Sequence, residues 1–552
     1  MNRLRWWPAA GVVVLALLWL ARVWLTGDAI RQQRVVNTLV TAILAGFLLL
    51  AWLVTISGLR PRVRGAILAA SLLATATAMA LFRVRGVTGD LVPIVEPRWA
   101  AAPRASPPAR PAELLVDAAM PPSPTDVSGA APAATDIGVT TGTDTARLEH
   151  APEQPSPPLP APDGGTHDYP QFLGPTRNGV VPGVRLATDW SAQPPRRAWR
   201  QAIGTGWSGF AVAGDLAITQ EQRGEDELVI AYEAATGRGR WSHSDRARYA
   251  TVIAGEGPRA TPTVHDGRVF TMGATGLVNA LDLATGRRLW SRDVLADNEA
   301  QSPEWGKSCS PLVVGGLVVV SAGGAQGRSL VAYDAATGER AWSGGGDGSS
   351  YSSPLLTRLA GSEQIVIFNR GSLAGHDPAS GAVLWEHPWP ASQPNVAQPL
   401  PLPGDRLLVS SGYGIGSKVL QLSRDADDSL RASLVWESPR LKAKFTNLVF
   451  HDGSVYGLDD GVLVCLDPAT GARRWKAGRY GHGQVVLAGG VLVVQTEEGE
   501  VVLVDPDPSG LKETARFQAL DGKTWNPPAL AGYRLLVRND REAAAYDLPK
   551  GE

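Results

Sequence analysis

Residues 280–290 read Ala280-Leu281-Asp282-Leu283-Ala284-Thr285-Gly286-Arg287-Arg288-Leu289-Trp290, the clearest copy of a pattern that recurs along the chain. An apolar run ends in an aspartate whose carboxylate can accept from the backbone amides just ahead of it, and a glycine then supplies the positive φ that reverses the chain. The reading is a tight turn between two short strands, with a tryptophan on the second. The pattern returns at Ala332-Tyr333-Asp334 to Trp342 and at Cys465-Leu466-Asp467 to Trp475. Weaker copies run from Ala231-Tyr232-Glu233 to Trp241 and from His376-Asp377 to Trp385. Trp436 ends a degenerate copy whose turn is replaced by residues 424–431. Val504-Asp505-Pro506 begins another, with Phe517 in the tryptophan place, and Tyr546-Asp547 begins a last one.

A valine-rich pair of strands precedes each turn, as at 312–314 and 317–321 around Gly315-Gly316. Four strands per unit, with 39 to 52 residues between successive aromatics, is the signature of a propeller blade. A lone blade cannot bury both faces, so the tryptophans are read as wedges between blades: Trp199, Trp241, Trp290, Trp342, Trp385, Trp436 and Trp475. Counting gives an all-β, eight-bladed propeller over residues 166–552. Trp199 has no turn before it and Asp547 has no tryptophan after it. Residues 196–201 are therefore expected to supply the outermost strand of the last blade, closing the ring and removing an open edge.

The N-terminal part is of a different kind. Residues 8–25, 35–56 and 65–82 are apolar runs long enough to cross a bilayer as helices, giving a membrane anchor over 1–90. Arg3, Arg5, Arg60, Arg62 and Arg64 lie on one side of these spans and Arg31 and Arg34 on the other. This bias favours a cytoplasmic N-terminus and places everything after residue 90 outside the cytoplasm, at a bacterial-type inner membrane. Residues 91–165 form a Pro/Ala-rich linker, with fifteen prolines between Glu96 and Gly165. Such a segment cannot bury enough apolar surface to offset its ordering entropy, so a disordered tether is expected, about 50 Å long as a coil and about 200 Å as polyproline II.

The repeat resembles the pyrroloquinoline-quinone (PQQ) repeat, Ala-x-Asp-x-x-Thr-Gly-x-x-x-Trp, over most of residues 166–552. The chain is similar to the outer-membrane assembly propeller lipoprotein of bacteria. Residues 169–179 (Tyr-Pro-Gln-Phe-Leu-Gly-Pro-Thr-Arg-Asn-Gly), Gly257-Pro258-Arg259-Ala260-Thr261-Pro262 and Trp305-Gly306-Lys307-Ser308-Cys309-Ser310-Pro311 resemble a group of membrane-attached PQQ-like propellers, as do Ser411-Gly412-Tyr413-Gly414 and Thr524-Trp525-Asn526-Pro527. Quinoprotein alcohol and glucose dehydrogenases share the repeat, and that resemblance implies PQQ, Ca²⁺ and oxidation of alcohols or sugars. The sequence departs from it. Those propellers are much longer, many carry an adjacent cysteine pair over the cofactor, and no Glu/Asn/Asp calcium set aligns here.

Function has fewer signals. The chain has 44% hydrophobic and 19% charged residues and a net charge of −1, a balance that argues against a nucleic-acid partner. Its two cysteines, Cys309 and Cys465, fall in different blades and read as small buried hydrophobes. No HExxH or GxSxG motif occurs, and Gly306-Lys307-Ser308 lacks the spacing and the following helix of a P-loop. Repeat equivalence points to one place. The residues just before each innermost strand ring one mouth of the central channel: Trp207, Arg259, Lys307, Tyr351, Asn395, Lys444, His482, Trp525 and Asn526. Aromatic, polar and carrying three permanent cations, this ring predicts a site for an anionic ligand or an acidic peptide segment. The overall expectation is a non-catalytic binding or scaffolding module without metal or cofactor, tied to the lipid bilayer. Alternatives are a PQQ-dependent oxidoreductase and a carbohydrate or wall-polymer sensor.

Overall fold

A computed structural model describes residues 6–25, 30–100 and 168–551. Three helices come first: α1 Trp7–Leu25, α2 Arg31–Thr55 and α3 Pro61–Leu81, each long and apolar enough to cross a membrane. Side chains such as Phe47, Leu72 and Leu73 stand exposed along them, as a lipid solvent requires. Pro61 starts α3 at a position where its missing N–H costs nothing.

Past α3 the chain does not go straight into the linker. Strand β1, Phe82–Val87, pairs antiparallel with β2, Pro93–Pro97. The start of the expected tether, residues 91–97, is therefore ordered. Composition hides this because β2 carries two prolines, but both sit at strand ends, where a ladder amide is dispensable. Leu91, at φ 62, helps turn the chain, and the Thr88 amide closes the turn on the Val92 carbonyl at 2.9 Å. The hairpin folds back onto its helix: the Arg98 amide donates to the Leu81 carbonyl at 2.8 Å and its guanidinium to the Met79 carbonyl at 2.9 Å. The rest of the expected linker, 101–165, lies outside the described residues.

The remaining chain forms eight antiparallel sheets arranged as propeller blades. Numbered in chain order, blades 1 to 7 begin at the innermost strands Ala211–Ala213, Thr263–His265, Leu312–Val314, Leu355–Leu359, Leu400–Leu402, Val449–His451 and Gln484–Ala488. Blade 8 begins at Ala529–Ala531, and its outermost strand is Arg196–Ala202, paired in antiparallel register with Glu542–Asp547. Blade 7 gains a fifth strand, Val180–Val181, parallel to its innermost one.

The repeat motif turns out to be a device for stacking blades. Asp282 Oδ1 accepts from the Thr285 amide at 2.9 Å and its hydroxyl at 2.6 Å, and Gly286 has φ 71. The same glycine also lies flat on the tryptophan of the preceding blade, where an added Cβ would sit 2.3 Å from the Trp241 ring. Gly237 on Trp199, Gly338 on Trp290, Gly381 on Trp342 and Gly471 on Trp436 repeat the contact. Each of these indoles donates to a carbonyl in the next blade's turn, as Trp290 does to Ala335 at 3.1 Å. The degenerate turn of blade 5 breaks the series: Trp385 has no turn glycine to meet and its indole bonds Gln364 of its own blade. Across the ring closure the series resumes, with Trp199 of blade 8 donating to Ala234 of blade 1 at 3.0 Å.

Candidate functional site

The central channel is filled from one side by residues 169–179. Tyr169 pairs with Val212 of blade 1, the Pro170 carbonyl accepts from Val264 of blade 2, and the Gly179 carbonyl accepts from Leu487 of blade 7. Arg177, only 2% exposed, donates to the carbonyls of Ser310 and Pro311 and to Gln171. The stretch whose resemblance to other propellers was plain in the sequence is thus a channel plug.

The β1–β2 hairpin enters the opposite mouth. Its tip, Gly89-Asp90, is held from three sides. The Gly89 amide donates to Glu497 at 2.7 Å, Lys444 Nζ donates to the Gly89 carbonyl at 2.9 Å, and Asp90 faces His482 at 3.3 Å. Arg31 and Gln32 of α2 join the same cluster, on Asp90 at 3.1 Å and Lys444 at 2.7 Å. Further out, Lys523 donates to the Val87 carbonyl at 3.1 Å, Arg85 pairs with Asp540, and Arg541 pairs with Glu96. Only glycine fits at 89, because a Cβ there would lie 2.1 Å from the His482 ring. Burial alone would raise the Asp90 carboxyl, but the hydrogen bond and charge of His482, with Lys444 and Arg31 behind it, hold it below the ordinary range.

The residues of the ring read from the repeat do different things in the structure. Lys444, His482 and Trp525 belong to the hairpin seat, Trp525 through its indole bond to Glu497 at 2.8 Å. Trp207 and Trp525 pack with ring centroids 4.9 Å apart, and Lys523 Nζ lies over both. Burial brings that ammonium down to about 8. Lys307, by contrast, is 1% exposed and turned inward onto the carbonyls of Ser321 and Ala322 and the Ser349 hydroxyl, with burial lowering it to about 8. Arg259 spends its guanidinium on the carbonyls of Ala254, Gly255 and Gly257 and lies over Tyr249. Asn395 and Asn526 brace neighbouring loops by donating to backbone carbonyls. Tyr351 stacks on Trp305 at 5.3 Å and accepts from its amide. The three cations thus do not converge on one open space. Glu497, Lys523, Phe445 and the hairpin itself escaped the sequence reading. The Thr88-Gly89-Asp90 turn between apolar flanks was the available signal.

Between hairpin and plug lies a cavity of about 180 Å³, with Leu91 of the hairpin and Phe172 of the plug in its wall. Trp207, Trp305, Tyr351, Tyr413, Phe445 and Trp525 give it aromatic sides. The quinone and calcium implied by the dehydrogenase resemblance do not suit this lining. Calcium takes about six to eight oxygens, carboxylates among them, and no Asp or Glu is in the wall. The three carboxylates of PQQ would meet one cation, Arg259, already committed to carbonyls. Among the described residues no group of three or more His, Cys, Asp or Glu side chains is placed to hold a metal ion. Cys309 and Cys465 are free and buried.

Comparison with known proteins agrees with the fold. An outer membrane protein assembly factor BamB of Bordetella pertussis is 23% identical over 362 residues, which is 65% of this chain and 77% of that protein. A quinohemoprotein alcohol dehydrogenase of Pseudomonas putida is 35% identical over 125 residues, 22% of this chain; the chain spans only 17% of that enzyme's length. Similarly, it spans 21% of a 1-butanol dehydrogenase (cytochrome c) of Thauera butanivorans. The crystal structure of quinohemoprotein alcohol dehydrogenase from Comamonas testosteroni superposes with a TM-score of 0.50 at 14% identity, covering 70% of this chain and 81% of that one, a likeness of fold. Residues 176–298, 225–477 and 459–552 match the family described as outer membrane protein assembly factor BamB, and with most of the chain so covered, it belongs to that family of PQQ-like propellers.

Proposed function

We propose that the chain is a membrane-anchored, extracytoplasmic propeller that acts as a non-catalytic binding or scaffolding module. The observation that carries this reading is the docked Gly89-Asp90 turn. It takes up Lys444, His482 and Glu497 at the mouth and leaves behind it an aromatic cavity without a carboxylate in its wall. Relatives named as outer membrane protein assembly factors support a role in holding other proteins, and the arginine bias supports an extracytoplasmic propeller at the inner membrane. The mouth ligand expected from the sequence, an acidic peptide segment, has a stand-in within the chain. A partner entering by the mouth displaces the turn by matching it, with a glycine-sized residue ahead of a carboxylate.

The test is titration of the purified full chain with PQQ and Ca²⁺, followed by absorbance and by dye-linked oxidation of alcohols and sugars. Absence of stoichiometric binding and of turnover is expected. Binding with turnover would replace the scaffold by a quinoprotein oxidoreductase.

A further inference from the structure

The mouth face sits close to where a bilayer must end. Asp90 at the hairpin tip pairs with Arg31 in the first turn of α2. The apolar run of α2 starts at Val35, one helical turn or about 6 Å further along. On the other flank, β1 leaves α3 directly at Phe82, and Arg98 pins β2 back onto the last turn of that helix. With α2 and α3 in a membrane, the mouth lies within about one helical turn of the hydrocarbon edge, at the depth of the headgroup layer.

At this level the connection from blade 1 to blade 2 makes a detour. Ala250–Thr251 pairs with Gly255–Glu256 to form a two-stranded finger. Its tip, Val252-Ile253, is 71% and 43% exposed. The finger stands against the hairpin, with the Val252 carbonyl 3.8 Å from the position of a Cβ on Gly86. The hairpin continues the apolar surface toward α3. Phe82 and the 67%-exposed Trp99 pair at 6.0 Å, the kind of aromatic found at a membrane–water interface. Ile253 also reaches the wall of the aromatic cavity, whereas Val252 is left mostly exposed beside the hairpin.

We propose that the Val252-Ile253 finger is a second membrane contact, its apolar tip seated among the headgroups of the bilayer that carries α1–α3. Together with the docked hairpin it holds the mouth face of the propeller against the bilayer. The proposal rests on the reading that α1–α3 cross the bilayer.

The experiment uses the full chain in proteoliposomes, with one residue at a time changed to cysteine and labelled with an environment-sensitive fluorophore; both native cysteines are buried. Val252→Cys is the test, Phe47→Cys in the middle of α2 the lipid reference, and Val383→Cys on the outer strand of blade 4 the water reference. Lipids bearing a nitroxide near the headgroup are expected to quench the label at 252 several-fold more than the label at 383, and lipids bearing it deep in the acyl chain to quench the label at 47. Strong quenching at 47 by the deep nitroxide, with quenching at 252 by the headgroup nitroxide no greater than at 383, overturns the finger contact alone. A blue-shifted but unquenched label at 252 assigns the tip to a protein neighbour and also overturns it. No quenching at 47 overturns the spanning helices and the finger contact together.

Discussion

Replacing Gly89 by alanine adds one methyl group at the point where the hairpin meets the propeller. That methyl would lie 2.1 Å from Cδ2 and 2.5 Å from Cγ of His482, too close for a shift of a few tenths of an ångström to relieve. Either His482 turns away and gives up Asp90, or the turn lifts and gives up its bonds to Glu497 and Lys444. Hydrogen bonds to charged groups contribute about 1.5–3 kcal/mol each, and overpacking a tight site costs about 1–3 kcal/mol. The partly exposed Asp90–Arg31 pair adds little to that sum. Docking should weaken by roughly 2–4 kcal/mol, which raises the undocked population on the order of 10²-fold. Hydrogen–deuterium exchange of amides 84–95 in the full chain reads this directly, because opening of the hairpin limits their exchange. Gly86→Ala is the matched control, since its new Cβ meets nothing nearer than Lys523 Nζ at 3.6 Å. Exchange in Gly89→Ala that matches the wild type, or an equal rise in both variants, refutes the reasoning.

Trp290→Ala is expected to cost about 3–5 kcal/mol in denaturant unfolding, because it empties the wedge between blades 2 and 3 and frees the Ala335 carbonyl. A chain starting at residue 166 should melt well above one starting at 203, which lacks the strand Arg196–Ala202 and Trp199 together with the plug and the fifth strand of blade 7; equal melting temperatures would rule out closure by that strand. Docking should also depend on pH in one direction. The Asp90 carboxyl is held below its ordinary value of 3.8, so its contribution is complete above that value and is lost as pH falls through the lower, docked value. Hairpin amide protection, corrected for intrinsic exchange, should therefore drop as pH falls below about 4 in the wild type, and the drop should be smaller in an Asp90→Asn variant.

How much of this was legible in the sequence differs by element. The blades were, because Asp282, Thr285, Gly286 and Trp290 sit at fixed offsets and each fixes its own part of a turn or wedge. What the spacing could not tell is that Gly286 serves Trp241 of the blade before it, a contact between repeats rather than within one. The mouth ring was legible as positions but not as directions. Lys307 and Lys444 occupy equivalent places, yet one turns into its own blade and the other onto the hairpin, a choice made by local carbonyls. The hairpin was hidden for two reasons. Its strands are short and β2 begins and ends in proline, and its partners are remote: Gly89 and Glu497 are 408 residues apart in the chain. Beyond the Thr88-Gly89-Asp90 turn, local pattern gave no hint that residues 82–97 fold back onto the propeller.

The central claim, that the propeller stands outside the cytoplasm and is held at the membrane through its own mouth, is tested by cutting the linker. A specific protease site placed near residue 130 is cleaved in intact spheroplasts, and the fragment starting beyond it is followed between membranes and supernatant. Cleavage should occur without lysis, the wild-type propeller should stay with the membranes through the docked hairpin, and Gly89→Ala should release it. Cleavage only after lysis would contradict the orientation, and immediate release of the wild-type propeller would contradict the docking.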